Sequence, residues 1–72
     1  MSYQQLWPQY EIRVRGRLSD RLLGAFPEVD ARFDGNGTVL AGALPDQSAL
    51  HGVLARIEAL GLELIEVRRI SD

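Results

Sequence analysis

Cysteine and lysine are both absent from the 72 residues, and histidine occurs once, as His51. Without cysteine there is no disulfide and no thiolate metal site, and a single histidine leaves no His-rich one. No metal or cofactor is therefore expected. No apolar run approaches the ~20 residues of a membrane-spanning helix. No charged start followed by an apolar stretch reads as a signal peptide. A cytoplasmic protein with no membrane association is the expectation. The eight basic residues are all arginine, and ten carboxylates outweigh them to a formal charge of −2. Nucleic-acid binding draws on a basic surplus, so no nucleic-acid partner is expected. An arginine-only basic set is what a GC-rich genome encodes, and it needs no functional reading.

What is present suits one globular domain. The hydrophobic fraction is 46%, too high for disorder. A domain this small supplies a core worth only ~3–5 kcal/mol, and small domains add disulfides, metals or self-association. With the first two removed, self-association is the support that remains.

Residues 1–9 read as an N-terminal arm carrying Leu6, Trp7 and Pro8. The domain proper is expected over residues 10–72. Tyr10-Glu-Ile-Arg-Val-Arg15 alternates apolar and charged residues, the pattern of a half-buried strand. Gly16 ends it. Ser19 suits a helix N-cap, with Asp20 in the first turn and Leu22, Leu23 and Phe26 as the apolar face, and Pro27 stops that helix. Val29 to Asp34 alternates again. Gly35-Asn36-Gly37 is a tight-turn signal, and Thr38 to Leu44 returns as the other strand of a hairpin. Asp46 caps a helix expected over Gln47–Leu60, with an apolar stripe of Leu50, Val53, Leu54, Ile57 and Leu60 and a C-terminal stop at Gly61. Glu63 to Ile70 is a fourth strand.

The order β-α-β-β-α-β predicts an α+β domain of ferredoxin-like type, with a four-stranded antiparallel sheet in spatial order 4-1-3-2 and both helices on one face. Leu50, Leu54 and Ile57 are expected to pack on Ile12, Val14, Leu40 and Val67. Alternation assigns to the uncovered face Glu11, Arg13 and Arg15, then Asp30, Arg32 and Asp34, with Val39, Ala41 and Ala43, and Leu64, Glu66 and Arg68.

The stretches Tyr10-Glu-Ile-Arg-Val-Arg-Gly-Arg-Leu-Ser19, Leu44-Pro-Asp-Gln-Ser-Ala-Leu-His-Gly-Val-Leu-Ala-Arg56 and Leu60-Gly-Leu62 resemble a group of short proteins frequent in actinobacteria and chloroflexi. Asp46-Gln47 followed by Leu50-His51-Gly52 is the most specific part. Around residues 20–33 the chain departs from the group's usual tryptophan-bearing pattern. The group has no assigned function, so the resemblance implies a bacterial cytoplasmic protein and no activity.

His51 has Ser48 three residues before it, on one helix face. Nucleophilic catalysis also needs an orienting acid and an oxyanion hole, and Asp46 is committed to the cap. His51 is expected at the margin between helix and sheet or in a subunit contact. Gly52 costs its helix about 0.5–1 kcal/mol relative to alanine, which close approach of another backbone would justify as well as simple tolerance does. Asp34-Gly-Asn-Gly fails as a calcium loop because its twelfth position is Pro45. Gly35-x-Gly37 fails as a dinucleotide fingerprint because Leu40 stands at the third glycine position.

The sequence therefore reads as a small interaction module with no catalytic residues. It is expected to form a homodimer or to hold a protein partner, through a surface drawn from Trp7, Arg13, Arg15, Asp34, Val39, Ala41, Leu64 and Glu66. The alternative is a ligand-binding or enzymatic domain whose cleft is formed by Arg13, Arg15 and His51.

Overall fold

The computed structural model describes residues 7–70. Of the expected arm, residues 1–6, Leu6 among them, lie outside the described residues, as do 71–72. The elements run β1 (Gln9–Arg15), α1 (Asp20–Leu23), β2 (Asp30–Asp34), β3 (Gly37–Ala43), α2 (Gln47–Ala59) and β4 (Leu64–Arg69). The four strands form one antiparallel sheet in the order β2-β3-β1-β4, which from the β4 edge reads 4-1-3-2. The architecture is α+β, with two helices and a four-stranded sheet.

Local chemistry sets the boundaries. Ser19 Oγ accepts the Leu22 N–H at 3.3 Å and caps α1, which lasts one turn before Gly24. Asp46 Oδ1 accepts the Ala49 N–H at 2.9 Å and caps α2. The far end of α2 closes in a paired-hydrogen-bond stop. Gly61 N–H donates to Glu58 O and Leu62 N–H to Ile57 O, each at 3.0 Å, with Gly61 at φ +74°. The β2–β3 connection is the two residues Gly35 and Asn36. Gly35 has φ +62° and Asn36 does not share the positive sign, the pattern of a type II′ hairpin turn.

Strand β1 alternates in burial as its sequence alternates, with Tyr10, Ile12 and Val14 buried beneath the helices. Leu40 lies between Ile12 and Ala31 on the same face. Leu50, Val53 and Ile57 descend from α2, and Leu18 and Phe26 from the segments around α1, to complete the core. Thr38 is fully buried and hydrogen-bonded on both sides. Its hydroxyl accepts the Leu18 N–H at 3.1 Å and donates to Gly16 O at 2.7 Å, fastening the β1–α1 loop to β3.

The expected seat of α2 needs correction. Leu54 is only half buried, Leu60 is 42% exposed and Val67 is 38% exposed, while Ile12, Val14 and Leu40 are at most 1% exposed. α2 therefore covers the central strands and leaves the helix side of β4 open. One thirteen-residue helix and one single turn are too little to roof four strands. Its helix-side residues Leu64 and Val67 are exposed as a result, and with the uncovered face also open every residue of β4 is exposed.

Leu64 also changes face. Its cross-strand partner is core-facing Val14, whereas Glu66 pairs with Arg13 and Arg68 with Glu11. The register shifts between Arg13 and Val14, where β4 carries an extra residue, and that bulge turns Leu64 to the helix side. Strict alternation cannot anticipate such a step.

Candidate functional site

The uncovered sheet face carries Arg13, Arg15, Asp34, Val39, Ala41 and Glu66, brought together by the register Arg13↔Val39, Glu11↔Ala41, Arg15↔Gly37, Asp34↔Gly37 and Arg13↔Glu66. Its charges are matched within the chain. Arg13 meets Asp34 at 2.8 Å and Arg15 meets Glu63 at 2.9 Å, while Glu11 receives Arg32 and Arg68, both at 3.2 Å. Two of these pairs join β1 to β2 across the whole width of β3. They run diagonally past Val39, Arg13–Asp34 toward the level of Gly37 and Arg32–Glu11 toward that of Ala41. Val39, between Arg13 and Arg32, is 1% exposed and stands outside the main core cluster. The flanking arginine stems are the side chains placed to cover it. A face so neutralised is a solvated lattice of ion pairs.

Trp7 is 47% exposed, and the arginines do not converge on the histidine. His51 projects from α2 on the helix side of the sheet, whereas Arg13 and Arg15 lie on the opposite face. The cleft of Arg13, Arg15 and His51 expected from the sequence is thus not assembled. Ser48 and His51 are both exposed, and the Asp46 carboxylate is held by the α2 cap. Among the described residues no group of three or more His, Asp or Glu side chains is placed to hold a metal ion. No helix among them is long and apolar enough to cross a membrane.

Among the described residues a concave feature lies where α2 stops short of β4. A groove of about 480 Å³ is lined by His51, Leu54, Ala55, Ile57 and Glu58 from α2, and by Leu62 and Leu64 beyond it. Its walls are mainly apolar, with His51 and Glu58 as the titratable groups. Of the seven large hydrophobic residues left exposed among the described residues, Leu60, Leu64, Ile65 and Val67 follow one another along this flank, while Ile70, opposite Gln9, lies on the uncovered face. Leu64, from the expected interface, and His51, from the expected cleft, are the sequence-derived candidates found here. The signal that would have found the rest is the near-continuous apolar run from Leu60 to Val67 at the end of a chain with one long helix to cover it.

Away from the groove, Arg56 fixes α2 to the loop ahead of β2. It donates to Ala25 O at 2.6 Å, to Glu28 Oε1 at 3.0 Å and to Glu28 Oε2. These hydrogen bonds hold the Glu28 carboxyl below the usual carboxylate range and raise Arg56 further.

No curated protein and no solved structure matches the chain. Residues 9–68, from the first residue of β1 to the penultimate residue of β4, match a family described as a domain of unknown function, DUF8691, and the chain belongs to that family.

Proposed function

We propose that this chain is a small interaction module of ferredoxin-like architecture that self-associates, as a homodimer of the bacterial cytoplasm, through the flank formed by α2 and β4. The strand order β4-β1-β3-β2 with crossovers through α1 and α2 supports the ferredoxin-like reading. The resemblance of the Tyr10–Ser19 and Leu44–Arg56 stretches to short bacterial proteins supports the setting.

The observation that carries the reading is the exposed row Leu60, Leu64, Ile65 and Val67 beside a groove walled by Leu54 and Leu62. A contiguous apolar patch on a domain this small marks a contact surface. The uncovered sheet face has its charges matched within the chain, so a partner there would have to displace those pairs. Sedimentation of the full chain from about 1 to about 100 μM tests the reading. Growth of a species of twice the monomer mass is expected. A monomer throughout overturns it.

A second reading draws on the same groove. Its volume falls within the roughly 300–1,000 Å³ of small-molecule sites, and its apolar walls with His51 and Glu58 suit a small amphipathic ligand. Ligand binding to a chain that stays monomeric would favour it.

A further inference from the structure

We infer that the partner at this flank is a second copy of the chain, joined edge to edge through antiparallel pairing of β4 with β4, with the two-fold axis passing through Val67. The inference rests on the self-association reading above and names its geometry.

β4 is an edge strand, bonded to β1 on one side and to no element on the other among the described residues. Ile70 N–H donates to Gln9 O at 2.9 Å, which makes Gln9 and Ile70 a hydrogen-bonded pair. Such pairs alternate with non-bonded ones along an antiparallel ladder. Val67, three residues before Ile70 and opposite Ile12, belongs to a non-bonded pair. Its N–H and C=O therefore point outward from the sheet. An exposed edge of this kind is a template for another strand.

Symmetry then limits the register. Two identical antiparallel edges in one continuous sheet are related by an axis perpendicular to it, and paired residues must lie on the same face. The axis must pass through a residue, not between two. An axis at Glu66 sets carboxylate against carboxylate, and one at Arg68 sets guanidinium against guanidinium. An axis at Val67 sets Glu66 of each chain opposite Arg68 of the other, twice, on the uncovered face. Glu66 makes no ion pair among the described residues, and Arg68 holds Glu11 at 3.2 Å with its side chain 61% exposed. The same register brings Val67, 38% exposed in the single chain, against its copy on the helix side of the sheet.

The other edge, β2, has a similar alternation of charge, with Arg32 and Asp34 either side of Phe33. Both charges are already engaged, Arg32 by Glu11 and Asp34 by Arg13, whereas on β4 Arg68 is engaged and Glu66, among the described residues, is not, and Arg17 stands over the Phe33 ring at 4.3 Å. It lacks the apolar neighbours that β4 has.

The test uses the full chain and two charge variants, E66R and R68E. Each alone places like charges opposite each other at both pairs, and self-association weakens by about tenfold or more. Mixed one to one, the two variants restore opposite charges at both positions, and association returns to within about threefold of wild type. The intrachain costs of each substitution are the same alone and mixed, so the recovery reports on the interface. V67C gives a second measurement, because the chain has no other cysteine. A pair across the axis has Cα atoms ~5.5 Å apart, within disulfide reach. V67C is expected to cross-link rapidly on mild oxidation, and I65C slowly. If wild type forms dimers while the mixture fails to recover and V67C cross-links no faster than I65C, the β4 register is wrong and the self-association reading survives. A wild-type chain monomeric at ~100 μM removes both.

Discussion

Arg56 holds both carboxylate oxygens of Glu28 and, with the same guanidinium, the Ala25 carbonyl. One side chain of α2 thus ties down the loop between α1 and β2, a segment without regular structure that still delivers Phe26, 2% exposed, to the core. Removing the charge while keeping much of the stem, as in Arg56→Met, is expected to cost about 1–2 kcal/mol. Ion pairs at this exposure contribute about 0.5–1 kcal/mol, and the loss of a donor to a part-buried carbonyl adds to that. Urea unfolding of the two proteins measures it, and a loss below about 0.3 kcal/mol would show that the clasp is not formed in solution.

The same pair sets a pH dependence. Glu28 titrates below its ordinary value of 4.5 in the folded chain because Arg56 donates hydrogen bonds to it. The stabilisation is therefore fully present above the unfolded-state value and is lost as pH falls through the folded one. The stability difference between wild type and Glu28→Gln is expected to hold from neutral pH down to about 5 and to shrink in more acid solution. A difference that grew as the pH fell would reverse the assigned sign.

Thr38→Val should cost about 1–3 kcal/mol. The substitution is nearly isosteric, but it leaves the buried Leu18 N–H and the Gly16 carbonyl without their partner. Thr38→Ser, which keeps the hydroxyl, should recover part of the loss. Equal stability of Val and Ser variants would mean that packing, not hydrogen bonding, decides this position.

Much of the fold was legible because β1, α2 and the Gly35-Asn36 turn each present one unambiguous period or turn residue. Burial in β1 follows its apolar alternation position by position, and the α2 cap residue Asp46 and stop Gly61 were both readable. What escaped was set by three-dimensional coverage. Leu54 and Ile57 lie on one apolar stripe in sequence, yet only Ile57 lands over the central strands. The bulge that turned Leu64 is a single inserted residue with no glycine to announce it. Arg56 and Thr38 gave no signal because their partners are distant in sequence. The charged rows of β1 and β2 were readable as strand faces, but the ion pairs across β3 run diagonally past Val39 and depend on the register of three strands.

Gly52→Ala is expected to stabilise the chain by about 0.5–1 kcal/mol. A methyl group there meets nothing within 4 Å, so the gain in helix propensity is unopposed. Thermal unfolding at low micromolar concentration checks this, and a lower melting temperature would reveal a neighbour at Gly52 that the single chain does not contain.

The final expectation separates two residues of α2 that sequence alone treats alike. Ile57 is 1% exposed, and truncating it to alanine should cost about 2–5 kcal/mol, the usual range for a fully buried aliphatic side chain. Leu54 stands half exposed at the wall of the groove, so part of its surface is already in water and its removal leaves no closed cavity. Leu54→Ala should cost about 1 kcal/mol in the monomer, from the fraction of its area that is buried. Denaturation at a concentration where the chain is monomeric compares the two directly. Equal losses would place α2 over β4, close the groove, and remove the exposed flank on which self-association has been argued.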